Sequence, residues 1–196
     1  MATQDLVVRI GGEAVIVTPN GDFVRARDGS ILAKRLSGLD YCAPVEADGV
    51  VYFIQRGGKA FKLPSEIGPE FKPEELWVAS GIPGDRYYAS PLVDGGLIYA
   101  INQGSHLVVI DAKTGAPVYE RKLELGATVY PSITLAGKRL LASGENGLTA
   151  VFEPGREYRE IARNKLEAFR SCPVAQRDRL YIRGMSRLYC IAQDGK

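Results

Sequence analysis

The hydrophobic positions of this chain fall in short runs, too brief for helices and too regular to be loops. Leu97-Ile98-Tyr99-Ala100, Leu107-Val108-Val109-Ile110, Leu140-Leu141-Ala142 and Ala150-Val151-Phe152 are each bounded by Gly, Asn, Asp or Pro. Runs of this length and β-branched content, separated by turn residues, predict strands joined by tight connections. A continuous 3.6-residue periodicity is missing. The best helical candidate, Glu157–Ala168, spaces Ile161 and Leu166 poorly and reads as a strand followed by a loop.

The runs recur with a period of about 42 residues. Ala89-Ser90-Pro91-Leu92-Val93-Asp94-Gly95-Gly96-Leu97-Ile98-Tyr99-Ala100 aligns without a gap on Pro131-Ser132-Ile133-Thr134-Leu135-Ala136-Gly137-Lys138-Arg139-Leu140-Leu141-Ala142. Copies begin again at Ala43-Pro44-Val45 and Pro173-Val174, and a degenerate one opens at Leu6-Val7-Val8-Arg9-Ile10. The third unit shows its strands most clearly, near Pro91–Val93, Leu97–Asn102, Leu107–Asp111 and Pro117–Leu123. Asn20-Gly21, Gly57-Gly58, Gly104-Ser105 and Asn146-Gly147 suit hairpins between second and third strands. Asp28-Gly29 and Asp111-Ala112-Lys113-Thr114-Gly115 fall between third and fourth strands, where the Asp111 side chain caps the turn's amides. Four short antiparallel strands per repeat of this period predict an all-β fold, a β-propeller of four-stranded blades. The blades run roughly 6–42, 43–88, 89–130, 131–171 and 172–196, giving about four full blades and a partial fifth, an open or partial propeller.

Ile110-Asp111-Ala112-Lys113-Thr114-Gly115-Ala116-Pro117-Val118-Tyr119 resembles the repeat of the pyrroloquinoline-quinone-like (quinoprotein-dehydrogenase-like) β-propellers, with Tyr119 where that family usually has Trp. Ser90-Pro91-Leu92-Val93 and Gly96-Leu97-Ile98-Tyr99 match its first and second strands, and the resemblance covers nearly the whole chain. It implies a ring of seven or eight blades in typical members, so five units suggest a C-terminal fragment of a larger propeller. Two alternatives stay open: two chains joining into one ring, or five blades closing alone with Met1–Asp5 pairing beside Leu188–Ala192. An open arc leaves an unpaired edge and an uncovered apolar face, and thus predicts self-association through the open propeller ends.

The family includes dehydrogenases and non-catalytic scaffolds, and the sequence separates them. Quinone binding in those dehydrogenases uses an adjacent Cys pair, a Trp under the ring and a Glu/Asn/Asp cation site. This chain has no Cys-Cys, and its sole Trp, Trp77, falls in the outer strand of the second unit. No cofactor and no metal are therefore expected, and titration with the quinone and Ca²⁺ should leave its absorption spectrum unchanged. His106 is the only His, which argues against a triad or a His-based metal site, and its position at a strand start predicts exposure. Cys42, Cys172 and Cys190 lack metal-ligand spacing and read as small buried residues. No catalytic residue is expected.

In a four-stranded blade the loops entering the inner strand and those joining strands two and three share the channel mouth. Tyr41, Tyr88 and Tyr130 occupy one repeat position there, with Arg86 and Arg170 beside them, and Arg56, Asn102, Gln103, Glu145 and Asn146 on the neighbouring turns. Such an aromatic and polar rim suits a peptide, although a repeated Tyr also serves to pack one blade on the next. The chain thus reads as a non-catalytic binding or scaffold module for protein or peptide partners. The alternative is a fragment of a quinone-dependent oxidoreductase whose active residues lie outside it.

Charge changes this picture little. The net charge of +2 points to no nucleic-acid partner, and the late arginines (Arg156 to Arg187) read as a solvated face. No apolar run approaches the ~20 residues of a membrane span. Met1–Asp5 lacks an apolar signal core, whereas family members are often periplasmic or exported, so the compartment stays open. Pro64–Glu75, rich in Glu and Pro, lengthens the second unit and reads as a solvated or partner-binding loop.

Overall fold

The computed structural model describes residues 4–192. These form nineteen strands in five antiparallel sheets, each a simple meander. Blade one comprises β1 (Leu6–Ile10), β2 (Glu13–Val17), β3 (Phe23–Arg25) and β4 (Ile31–Ala33). Blade two comprises β5 (Val45–Ala47), β6 (Val50–Phe53), β7 (Lys59–Lys62) and β8 (Glu74–Val78). Blade three holds β9 (Leu92–Asp94), β10 (Leu97–Ile101), β11 (His106–Asp111) and β12 (Pro117–Lys122). Blade four holds β13 (Thr134–Ala136), β14 (Arg139–Ser143), β15 (Leu148–Phe152) and β16 (Glu160–Lys165). Blade five has three, β17 (Val174–Gln176), β18 (Arg179–Arg183) and β19 (Leu188–Ala192). The strands predicted for the third unit agree within a residue at each end, and the segment read as strand plus loop contains β16.

Burial follows from stacking. Each middle strand is apolar on both faces because each blade is covered on both sides: β10 and β11 bury Leu97 to Ile101 and Leu107 to Ile110 almost completely. One cluster packs blades one, two and three together, and a second packs blade three on blade four. The ends of the arc differ. Val7 and Ile31 on blade one, and Val174 and Leu188 on blade five, are each more than half exposed. This corrects the expectation for the thiols. Cys42 is buried, and burial pushes its thiol up to about 11. Cys172, at the channel mouth, and Cys190 are exposed; Ile191 faces blade four, so Cys190 turns to the outward side of blade five, where no described sheet stacks. The proposed pairing of Met1–Asp5 with Leu188–Ala192 falls mostly outside the described residues; Gln4 and Asp5 are not in a strand, and β19 pairs with β18 alone among the described strands.

Two devices repeat between blades. In the outer strands, Trp77 and Tyr119 occupy the same register, opposite Ala60 and Val109 and just before a bulge in each. Trp77 reaches from blade two to the Asp111–Gly115 turn of blade three and donates its indole N–H to the Ala112 carbonyl at 3.0 Å. Gly115, at φ +73°, lies flat against the indole. The turn itself is capped as expected: Asp111 Oδ1 accepts from the amides of Lys113 and Thr114, and Oδ2 takes Arg156 from blade four at 3.0 Å. Arg156 and the turn amides hold that carboxyl below its ordinary range. The inserted Pro64–Glu75 segment is more than a solvated loop. Its Phe71 ring sits 5.7 Å from Phe23, and Ile67 joins the same core, so it fastens blade two to blade one.

Arg163 links blades three and four. It pairs with Glu160 at 2.8 Å and donates to the Leu123 carbonyl at 2.7 Å. Arg163 and the Tyr158 hydroxyl hold the Glu160 carboxyl down to about 2. A depressed carboxyl contributes stability that is present above its ordinary value of 4.5 and lost as pH falls toward 2. Glu160→Gln should therefore flatten the loss of stability over that acid window and change little at neutral pH. Urea melts at stepped pH measure this, and parallel wild-type and variant curves would show that the pair carries no linkage.

Candidate functional site: the channel mouth

The channel-mouth face is built by two sets of loops that the fold brings together. The segment entering each inner strand runs between the turn joining strands two and three of its own blade and that of the preceding blade. Backbone bonds record the register: Gln103 N–H to the Arg86 carbonyl at 2.8 Å, Val129 N–H to Gln103 at 3.0 Å, Glu145 N–H to Thr128 at 2.9 Å, and Phe169 N–H to Glu145 at 3.0 Å. Close approach of these segments constrains the turns. Gly147 has φ +85°, and a Cβ there would collide with the Glu167 carbonyl.

On this frame the repeated tyrosines form a continuous rail. The Tyr41 and Tyr88 rings lie 5.1 Å apart, Tyr88 and Tyr130 stack at 4.9 Å, and the Arg170 guanidinium covers Tyr130 at 4.5 Å. Arg170 occupies in blade five the position of Tyr130 in blade four, so the rail crosses four blades. All three tyrosines are half-buried. Their ring contacts pack one blade on the next, which is the structural reading of a repeated Tyr. Arg86 stands over Tyr41 at 6.0 Å and reaches the Tyr88 hydroxyl at 3.5 Å.

One layer below runs a second row that the sequence reading did not single out. The Ala43 amide donates to Ser90 Oγ at 3.0 Å, the Ser90 amide to Ser132 Oγ at 3.0 Å, and the Ser132 amide to Cys172 Sγ at 3.3 Å. Each blade thus donates to the side chain at the same position of the next. The signal was in the alignment, where Ser90, Ser132 and Cys172 share a column. Both rows line a cavity of about 170 Å³ walled by Tyr41, Tyr88, Ser90, Tyr130, Ser132 and Cys172.

The remaining predicted rim residues divide by environment. Arg56 is exposed on the blade-two turn, and its Cδ lies 3.8 Å from where a Cβ at Gly84 would sit. Gln103 donates to Asp85 at 2.8 Å, and Glu145 pairs with Arg170 at 2.7 Å. Asn146 reaches back to the Leu125 carbonyl. Asn102 is buried, its Oδ1 accepting from the Gly104 and His106 amides, so it shapes a turn rather than facing the channel. His106 is half-buried rather than exposed and lies 3.0 Å from Glu120. Trp77 is far from this face, in an outer strand. Among the described residues no cluster of three metal-ligating side chains occurs, and no helix is long and apolar enough to cross a membrane.

Five antiparallel meanders, with inner strands beside a channel and interblade stitches repeating at one register, define a β-propeller. The Ile110–Tyr119 segment resembles the repeat of the pyrroloquinoline-quinone-like β-propellers. Over 90 residues, 42% of this chain, the sequence is 34% identical to the outer membrane protein assembly factor BamB of Burkholderia pseudomallei (strain K96243). The crystal structure of BamB from Moraxella catarrhalis superposes with a TM-score of 0.63 over 95% of this chain at 20% identity. The computationally designed protein Ika8 superposes with a TM-score of 0.64 over 90% of the chain at 14% identity. The match spans 23% of the Burkholderia protein's length, and the superpositions span 57% and 54% of the two structures' chains. No family model matches the chain.

Proposed function

We propose that this chain is a non-catalytic propeller scaffold that binds protein or peptide segments along its channel mouth. The observation that carries this is the rail of Tyr41, Tyr88, Tyr130 and Arg170, drawn from four successive blades. Tyrosines offer contact area and a hydroxyl at low entropic cost, and here they are already fixed by stacking on one another. Rigid backbone stitching beneath them holds the rim preorganised. The local likeness to a BamB, a protein named for outer-membrane-protein assembly, supports a scaffold role.

A heptapeptide phage selection against the immobilised chain tests the reading. Enriched peptides should lose about tenfold or more in affinity on Tyr88→Ala, as expected for a central aromatic contact. They should be indifferent to Lys138→Ala, in the turn between β13 and β14 at the opposite rim. Peptides that bind equally to the wild type and to Tyr88→Ala would place recognition elsewhere.

A further inference from the structure

We infer that the channel mouth recognises carboxylate-bearing peptide segments, gripping a carboxylate at Arg86 while the tyrosines hold the rest; this rests on the peptide-binding reading above. The wall of the cavity is rich in donors and poor in acceptors. Ser90 Oγ and Ser132 Oγ each accept one backbone amide, so each hydroxyl proton is free, and neither has an acceptor among the described residues. Tyr88 accepts from Arg86 and likewise retains its proton, and the Tyr41 and Tyr130 hydroxyls have no partner among the described residues. Five hydroxyl-bearing side chains therefore line one small cavity, with Gln4 and Cys172 beside them.

Charge points the same way. Of the carboxylates on this face, Glu145 is paired with Arg170, while Asp85 accepts the Gln103 amide and keeps its charge beside Arg86. Asp40 is the exposed acidic group flanking Tyr41. Arg86 and Arg56 have no carboxylate within ion-pair distance among the described residues, unlike Arg170 on the same face. Arg86 is held over the Tyr41 ring and against the Tyr88 hydroxyl, which orients its guanidinium without neutralising it. A planar cation fixed in this way, beside phenol and serine donors, matches a carboxylate, which accepts two or more charge-assisted bonds.

The test uses a fluorescein-labelled hexapeptide alternating glutamate and phenylalanine, and its glutamine counterpart, followed by anisotropy. The glutamate peptide should bind about tenfold tighter than the glutamine one, the gain expected of one charge-assisted pair at a partly exposed site. Its affinity should fall as salt rises from about 50 to about 300 mM, since exposed charges are screened. Arg86→Gln should erase the preference, Arg86→Lys should restore part of it, and Tyr88→Phe should weaken binding severalfold while keeping the ring. Arg156→Gln, on the opposite rim, should change nothing. Equal binding of both peptides, or a preference that survives Arg86→Gln, overturns the carboxylate inference; if that binding still depends on Tyr88, the scaffold reading stands without it. Binding of neither peptide also overturns the inference, while the phage selection judges the scaffold reading separately.

Discussion

Val109→Asp should abolish cooperative folding, or cost on the order of 4–5 kcal/mol where a folded population survives, because it places an unpaired charge in a dry core. Val109 is fully buried on β11, paired across to Tyr99 on one side and Tyr119 on the other. It belongs to the cluster that packs blade three on blade four. Val109→Ala removes only methyl groups and should cost about 2 kcal/mol, the transfer and cavity contribution without the charge. Ile161→Asp, on the outer strand β16 where Ile161 is 40% exposed, should shift stability by less than about 1 kcal/mol. Chemical melts of the three variants read these outcomes. If Val109→Asp melts like Val109→Ala, water reaches the space between the blades and the stacked-blade packing is wrong.

How much of this was legible beforehand depends on whether a residue's surroundings lie within its own repeat. The strands of blades three and four could be placed because Leu97–Ala100 and Leu140–Ala142 are short continuous apolar runs flanked by turn residues. The tyrosine rail was legible as a repeat position, since Tyr41, Tyr88 and Tyr130 align, although only the coordinates show their rings packed on each other. What failed was burial set by a neighbouring blade. Cys190 carries a buried residue's chemistry but lies on the outward side of blade five, and Cys172 lies at the channel mouth; no pattern within a repeat reports either. Asn102 looked like a rim donor because Asn in a turn is ordinarily exposed; its side chain instead completes the turn's own hydrogen bonds. Phe71 was hidden among prolines and glutamates, where a single aromatic in a polar segment gives no periodicity to read.

Trp77 shows the same limit, and its role makes a sharp expectation. Placed in an outer strand away from the channel, it looked like a residue defined by what it does not do. Instead it joins two blades through a contact that only glycine permits. A Cβ at Gly115 would come within 2.6 Å of the indole, and the residue sits at φ +73°. Gly115→Ala should therefore cost about 3 kcal/mol, of which about 1 kcal/mol is the left-handed backbone and the rest the collision with a ring fixed by its bond to Ala112. Trp77→Ala alone should cost about 3 kcal/mol, because it opens a cavity beneath the turn and orphans the Ala112 carbonyl. The double variant should cost much less than the sum, since with the ring gone the alanine meets only the backbone penalty. The expected coupling is about 2 kcal/mol, read from a double-mutant cycle of urea melts. Additive costs would mean that the indole is not what forbids a side chain at Gly115, and that the joint between blades two and three is held by some other contact.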